Sequence, residues 1–421
     1  MQVQFGRYTD ALKTDLQRQQ WSEAEKHFAA GDYLPAYLAF FEYLRDPEAD
    51  NVEFEATDGR VDFRLYQGSK RLVGYADAEK VEFEGGVATM EKPSVVVMRK
   101  LLEINYALSY SRFALNGDRI CIRFDAPVAG GQPRKLYYAL REAAINADYY
   151  DDPLVHEFSA LKPVDESKVR QLEATELAAK MEFLPRWIAE TLRDAATLHP
   201  DKQAGAISWM YLCLVYRIDY LIAPQGELMN DLRKQIQTYH VDDGKSFPEK
   251  NYQMKLAFER IAGMGEALAR DLYAVTSTFA TTQNAGVARF GTTLADVFNG
   301  YNVWKNPEQP AAGLACLEYA AAQAFHGCNL PKPVAGLLHL FMQILHPDYF
   351  AALGSDERYR TESGELDQEA ITLRVDAIVL VGQGTLPALM FRSGMLRFGS
   401  LLDFAQSFMT EAQAMVAELV K

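Results

Sequence analysis

The sequence predicts an α+β protein in which an N-terminal antiparallel sheet flanked by helices is followed by an all-helical region. Between residues 51 and 91, apolar residues alternate with polar ones, which is typical of strands with one packed and one solvated face. Before this stretch and after residue 163, apolar residues recur at three- and four-residue steps, as in amphipathic helices. We therefore expect three ranges: a helical hairpin at 1–50, an α+β domain at 51–162 and an all-helical domain at 163–421.

The composition indicates a folded globular protein and argues against two classes of partner. Hydrophobic residues make up 49% of the 421 residues and charged residues 24%, an ordinary globular mixture. The formal net charge is −14, and no run of Lys and Arg stands out against it. Because an acidic surface repels phosphate backbones and anionic lipid headgroups, we expect neither nucleic acid nor membrane as a partner.

The cysteines and the apolar stretches indicate a cytoplasmic protein. Cys121, Cys213, Cys316 and Cys328 are widely separated in apolar surroundings, which favours buried free thiols in a reducing compartment over disulfides. The longest apolar stretches, at 206–216 and 334–345, are too short to cross a bilayer, which takes about 20 residues. They are predicted to be buried core helices.

The first 160 residues predict a helical hairpin, a meander of strands, and two further helices around a closing hairpin. Turns are expected at Gly31, at Asp58-Gly59, at Gly85-Gly86 and at Asn116-Gly117. A helix is predicted from Ser94 to about residue 112. The predicted ranges are a helical hairpin at 8–46, strands at 52–56, 61–65, 71–76, 80–84, 87–90, 113–115 and 120–124, and a helix at 133–147.

After residue 163 the sequence predicts helices separated by Gly, Pro and Asn signals, and no strand. A polar stretch at 356–367 is expected to form an exposed loop. The predicted helices span 167–198, 204–222, 226–239, 249–282, 286–304, 310–326, 332–346, 368–381 and 385–420.

One part of the sheet domain resembles a known group of proteins. The segment Leu102-Glu-Ile-Asn105 precedes Phe113-Ala-Leu115, a turn, the apolar strand Ile120–Phe124 and the helix after Pro133. This arrangement, over about residues 35–160, is similar to the type III secretion chaperone-like fold, which includes the bacterial YbjN-like sensory-regulator family. The resemblance implies binding of another polypeptide and homodimerisation. The long helical extension departs from that pattern, and fold alone does not fix activity.

The strongest candidates for a metal site are His326, Cys328, His339 and His346. A thiol with imidazoles suits zinc, and the last two histidines are seven residues apart and could share a helix face. The sequence lacks the close ligand pairs of structural zinc sites, however, and His326-Gly327-Cys328 and His346-Pro347 are better explained as helix ends. We therefore predict no metal.

Other motifs of catalysis or cofactor binding are incomplete. The stretch Val379–Gly384 could precede a phosphate-binding turn, but the dinucleotide fingerprint needs a glycine where Pro387 stands. The acidic residues Asp148, Asp151 and Asp152 lack the spacing of a calcium loop. The sequence contains no Gly-x-Ser-x-Gly nucleophile motif. No cofactor and no catalytic residue is predicted.

These observations favour a non-enzymatic interaction or chaperone-like regulatory protein that binds another polypeptide, including a second copy of itself, through the sheet domain. The strand at 119–125 is expected to be a weakly protected sheet edge. The alternative is an enzyme or small-ligand binder with a pocket in the helical region 249–420. The candidate interface residues lie on the predicted 94–112 helix and this strand: Leu101, Ile104, Tyr106, Ile120 and Ile122.

Overall fold

The computed structural model describes residues 3–9, 13–164, 168–281, 285–306 and 308–421. An antiparallel sheet of several strands precedes mostly helical structure, which confirms the α+β class. The chain forms two compact units. The sheet unit comprises Lys13–Gln171 and Ala274–Thr281, and the helical unit comprises Met1–Leu12, Leu172–Tyr273 and Thr282–Lys421. These units differ from the three predicted ranges, because the helical hairpin packs into the sheet core and each unit includes a segment from a distant part of the chain.

The sheet of the first unit is antiparallel, with its main strands in the order β1-β2-β3-β4-β6-β5, and β7 pairs with β4. The strands are β1 Val52–Thr57, β2 Arg60–Gln67, β3 Lys70–Ala76, β4 Lys80–Thr89, β5 Arg112–Asn116, β6 Arg119–Pro127 and β7 Lys162–Pro163. Its helices are α1 Asp15–Ala30, α2 Tyr33–Leu44, α3 Val95–Ala107 and α4 Pro133–Glu157.

Alternation along the strands buries one face of the sheet. Ile120, Ile122 and Phe124 are buried on β6, as the two-residue period predicts. Helix α4 contacts β4 and β6, α3 contacts β5, and α2 contacts β1 and β2. Ring pairs cross this core, including Phe41 with Phe63 at 4.4 Å between centroids. The helices therefore cover one face of the sheet and leave the other accessible.

Two predictions about the strands were wrong. Gly85-Gly86 does not form a turn, because β4 runs on to Thr89 and the irregularity is a change of register between Gly86 and Ala88. An inserted residue in a strand bends it without ending the pairing. The strand at 119–125 is not an edge, because β6 pairs with β4 on one side and β5 on the other. The edges of the main sheet are β1 and β5.

The segment Ala274–Thr281 completes the sheet unit. Phe279 is fully buried in its core, with its ring 5.4 Å from that of Tyr137. The side-chain oxygen of Gln67 accepts the backbone N–H groups of Thr278 and Phe279, and its nitrogen donates to the Phe279 carbonyl oxygen. The predicted helix at 249–282 therefore ends early, and the chain from residue 274 supplies a core residue to the sheet.

The helical unit is built around α6, whose residues are nearly all buried. The predicted core helices at 206–216 and 334–345 are confirmed. The helices of this region are α5 Ala174–Ala195, α6 Ala204–Arg217, α7 Gly226–His240, α8 Phe247–Ala262, α9 Val287–Trp304, α10 Pro310–Gly327, α11 Lys332–Leu345, α12 Pro347–Ala352, α13 Gln368–Gln383 and α14 Leu401–Leu419. Two-residue strands, β8 Arg170–Gln171 and β9 Tyr273–Ala274, were not predicted.

The structure corrects the helical prediction at one further place. The range 385–420 is helical only from Leu401, because the preceding stretch is irregular apart from a 3₁₀ turn at Ser393–Met395. Helix α6 continues into one π-helical turn at Ile218–Ile222, which ends at Ala223 with a positive φ of 50°. Among the described residues, no helix is both long enough and apolar enough to cross a membrane.

Candidate interaction surfaces

The outward face of α3 carries an apolar stripe. Val95, Leu102 and Tyr106 are 67%, 66% and 94% exposed, and their spacing of seven and four residues places them on one side of the helix. The opposite side of the same helix buries Val97, in the core. Helix α3 therefore has two apolar faces, and the sheet covers only one of them. Exposed apolar surface of this kind is typical of protein–protein contacts.

The structure divides the predicted interface residues between the core and the surface. Leu101, Ile104, Ile120 and Ile122 are at most 5% exposed, so their side chains cannot contact a partner in this fold. Tyr106 lies on the outward stripe. The prediction selected the inward face because it did not separate the two apolar sides of α3. The sequence did contain a signal for the outward stripe. One buried face of a helix does not need the three additional apolar residues Val95, Leu102 and Tyr106.

The edge strand β5 is blocked by a side chain of α3. The Asn105 oxygen accepts the backbone N–H of Phe113 at 2.6 Å, and its nitrogen donates to the Phe113 carbonyl oxygen at 3.0 Å. Glu142 accepts the backbone N–H groups that lead into this strand, those of Ser109, Tyr110 and Ser111. These contacts occupy backbone groups that an added strand would need. The segment Leu102–Asn105 thus supplies an exposed leucine, a core isoleucine and an edge cap.

The accessible face of the sheet contains a shallow, mainly acidic cleft of about 540 Å³. Cross-strand neighbours Glu53 and Arg64 lie 3.5 Å apart at its edge. Lys168 lies 2.7 Å from Glu53, and this hydrogen bond lowers the pKa of the Glu53 carboxyl. The cleft is lined by Glu53, Phe54, Glu55, Asp62, Phe63, Arg64, Val73, Gly74, Tyr75 and Glu84. Arg64 and Lys168 both pair with Glu53, so the negative charge of the cleft is partly neutralised.

In the helical unit, His326 belongs to a buried polar cluster at the π-helical turn. Its Nδ1 lies 2.8 Å from Oδ2 of Asp219. The other carboxylate oxygen, Oδ1, accepts from Nε and Nη2 of Arg7 at 3.0 and 2.8 Å. Burial opposes ionisation of Asp219, but the charge of Arg7 and the His326 hydrogen bond outweigh it and hold its pKa well below the usual range.

His346 belongs to a second cluster of the same type. Glu318 on α10 accepts from Nε and Nη2 of Arg217 on α6, at 2.5 and 2.6 Å, and lies 2.8 Å from Nε2 of His346. Burial opposes ionisation of Glu318, and the guanidinium of Arg217 outweighs it, so its pKa is low. Burial lowers the pKa of His346. A carboxylate paired in this way joins helices across the core.

His339 and Cys328 do not contact Asp219 or Glu318, the carboxylates of these two clusters. Nδ1 of His339 is 2.8 Å from the hydroxyl of Tyr220, and burial lowers the pKa of His339 to about 4. Cys328 is buried where the helix α10 ends, and burial raises its pKa to about 11. The three histidines thus have three different polar partners. Among the described residues, no group of three or more His, Cys, Asp or Glu could hold a metal ion.

The cysteines show no sign of activation. All four are free and buried. Burial raises the pKa of Cys121 to about 11 and that of Cys316 to about 12, and it raises the pKa of Cys213 well above its usual value. Since the thiolate is the reactive form, these thiols are poor nucleophiles.

A second cleft, of about 290 Å³, lies between α5, α6 and α8. Apolar residues line most of it, together with Tyr211 and Asn251. The amide of Asn251 already donates to the Ala204 carbonyl oxygen and accepts from the Ser208 hydroxyl. Neither cleft includes the candidate histidines.

Comparison of the chain with protein families and with curated proteins found no match.

Proposed function

We propose that this is a non-enzymatic, cytoplasmic protein-interaction protein that self-associates through the outward face of α3. The observation that carries the proposal is the stripe of Val95, Leu102 and Tyr106, three large apolar side chains at least 66% exposed on one side of one helix. Burying such side chains stabilises an interface by roughly 1.5–3 kcal/mol each before the costs of association.

The charges beside the stripe favour a second copy of the same helix as the partner. Arg99 and Glu103 are exposed one turn apart, next to Leu102. In an antiparallel contact related by a two-fold axis, residues whose numbers have a constant sum face each other, so Arg99 approaches Glu103 of a second copy. The same arrangement brings Val95 close to the second copy's Tyr106. A parallel arrangement would instead bring like charges together.

The resemblance to secretion chaperone-like proteins supports a chaperone-like or regulatory role for the dimer. The predicted partner is another polypeptide, bound by the sheet unit. Because the β5 edge is blocked, we assign such contacts to α3 and to the accessible sheet face. We do not propose the enzymatic alternative, because His326, His339 and His346 make separate contacts and line neither described cleft.

The test compares two leucines that are equally exposed, each 66%, on different helices of the sheet unit. Leu102→Glu places a charge in the proposed contact, whereas Leu16→Glu on α1 is the matched control. Light scattering on the full chain over about 1–100 µM measures the molar mass, because the fraction of dimer rises with protein concentration. We expect a dimer for the unsubstituted protein and for Leu16→Glu, and association weakened at least about tenfold for Leu102→Glu.

A monomer for the unsubstituted protein throughout this range would contradict the proposal. So would a dimer that Leu102→Glu leaves intact, since that contact would lie elsewhere. Circular dichroism should show the same helix content in all three proteins, because both positions point away from the core.

A further inference from the structure

The chain's own segment at residues 3–9, here called the strap, lies on the helical unit as a bound peptide would. It contains no helix or strand. The Gly6 N–H donates to the Tyr220 carbonyl oxygen at 2.8 Å. The Phe5 ring lies 4.9 Å from His339 and 5.4 Å from Phe350, between centroids. These contacts are an aromatic anchor and a backbone hydrogen bond, two common elements of peptide recognition.

Arg7 provides the charged anchor of the strap. Its guanidinium donates twice to Oδ1 of Asp219 and once to the carbonyl oxygen of Pro224, at 2.7 Å. The side chains of Arg7 and Asp219 are only 12% and 10% exposed. Charge-assisted hydrogen bonds shielded from water are strong and specific for guanidinium geometry.

Gly6 is required by both space and backbone conformation. Its φ is +69°, a region that other residues rarely adopt. A Cβ at this position would lie 2.9 Å from a ring carbon of Tyr220, closer than a normal contact. The bound sequence is therefore specified at three consecutive positions, as an aromatic residue, glycine and arginine.

The receptor side of this contact is held by the helical unit itself. The π-helical turn presents Asp219 and Tyr220 side by side. His326 holds the second oxygen of Asp219, and the Tyr220 ring stacks on Phe325 at 3.7 Å between centroids. The Tyr220 hydroxyl contacts His339 at 2.8 Å. Helices α10 and α11 therefore hold the groove lined by Asp219, Tyr220, His339 and Phe350 through contacts that do not involve the strap.

We infer that this groove is a binding site for an extended peptide carrying the sequence aromatic–glycine–arginine, and that the strap occupies it in cis. A segment of another polypeptide with this chemistry competes with the strap for Asp219 and the Phe5 position. The site lies in the helical unit and is independent of self-association through α3. Cis occupancy gives the strap a high effective concentration, so the free site is exposed only when the strap is weakened or outcompeted.

The test weakens the strap in the full chain and supplies the same peptide in trans. The variant Phe5→Ala/Arg7→Gln removes both anchoring side chains. The probe is a fluorescein-labelled peptide with the sequence of residues 1–12, and binding is measured by anisotropy. We expect saturable binding to the variant and little binding to the unsubstituted protein. A control peptide with citrulline at position 7 should bind at least about tenfold more weakly, because citrulline keeps the shape and loses the charge.

A thermal melt of the same samples keeps the test decisive if the variant is less stable. A ligand that binds only the folded state raises the melting temperature by mass action. The arginine peptide should therefore raise the melting temperature of the variant, and the citrulline peptide should raise it less. Absence of both binding and stabilisation would overturn the inference, as would equal effects of the two peptides.

Discussion

The buried carboxylate of Asp219 is paired by two side chains that are far from it in the sequence, those of Arg7 and His326. The sequence analysis singled out His326 by its residue type and its proximity to Cys328, and it explained the two as a helix end. His326 does lie in the last turn of α10, but its partner is Asp219, 107 positions away. Arg7 lies 212 positions from the same carboxylate. Partners that are distant in sequence carry no periodic signal, so only the fold can bring them together.

His339 should make the stability of the helical unit depend on pH. Its folded pKa is about 4, because burial opposes protonation while Glu357 favours it and Arg374 opposes it. An unfolded histidine titrates near 6.5, so between these values the unfolded state binds more protons. The free energy of unfolding should therefore fall as pH drops from about 6.5 to 4, by up to about 3 kcal/mol from this group.

The variant His339→Gln should lose this part of the slope, measured by urea denaturation at several pH values. His346 adds a slope of its own because burial lowers its pKa too, so the difference between the variant and the unsubstituted protein is the relevant quantity. His199→Gln, at an exposed position, is the control. Equal slopes for His339→Gln and the unsubstituted protein would show that His339 is protonated or solvated in the folded state.

At the scale of elements, periodicity predicted which stretches form helices and strands and which of their faces are buried. It failed for features that depend on tertiary contacts, such as strand order. The β2 alternation and the helix α11 follow from their two- and three-to-four-residue periods, and the buried helix α6 follows from its continuous apolar run. The position of β6 inside the sheet does not, because strand order depends on pairing between distant segments. The predicted turn at Gly85-Gly86 instead became a register change, since glycine favours either outcome.

Asn105 gives a test of edge protection at this scale. Asn105→Ala leaves the backbone N–H and C=O of Phe113 without the side-chain partner, which should lower the free energy of unfolding by about 1–3 kcal/mol. The opened β5 edge should also speed aggregation on warming. Urea denaturation and turbidity measure the two effects.

The control for this test is Asn116→Ala at the other end of β5. Asn116 is exposed and donates from its side chain to Glu84 at 3.1 Å. Loss of this surface contact should change stability by less than about 0.5 kcal/mol. If both variants behave alike, Asn105 does not protect the edge.

At the scale of the whole molecule, each unit includes a short segment that is distant in sequence from the rest of that unit. Residues 1–12 belong to the helical unit and Ala274–Thr281 to the sheet unit. A fragment ending near Pro163 would therefore lack Phe279, a fully buried core residue, and the contacts that satisfy Gln67. Self-association must be measured on the full chain for this reason. No local sequence pattern predicts which unit such a segment joins, because its position is determined by contacts with residues that are distant in sequence.

The four native cysteines make a direct contact measurement feasible. All are at most 7% exposed, so a cysteine introduced on the surface should be the reactive one in the folded protein. The substitutions Leu102→Cys on α3 and Leu16→Cys on α1 provide a pair of equally exposed positions.

Cross-linking these two variants with a short bis-maleimide tests self-association through α3 most directly. We expect a covalent dimer for Leu102→Cys on a denaturing gel, because the stripe places residue 102 close to its copy, and predominantly monomer for Leu16→Cys. Adding Tyr106→Glu to Leu102→Cys should remove the cross-link. Equal cross-linking at both positions, or none at residue 102 while the protein is dimeric, would show that the protein does not associate through α3.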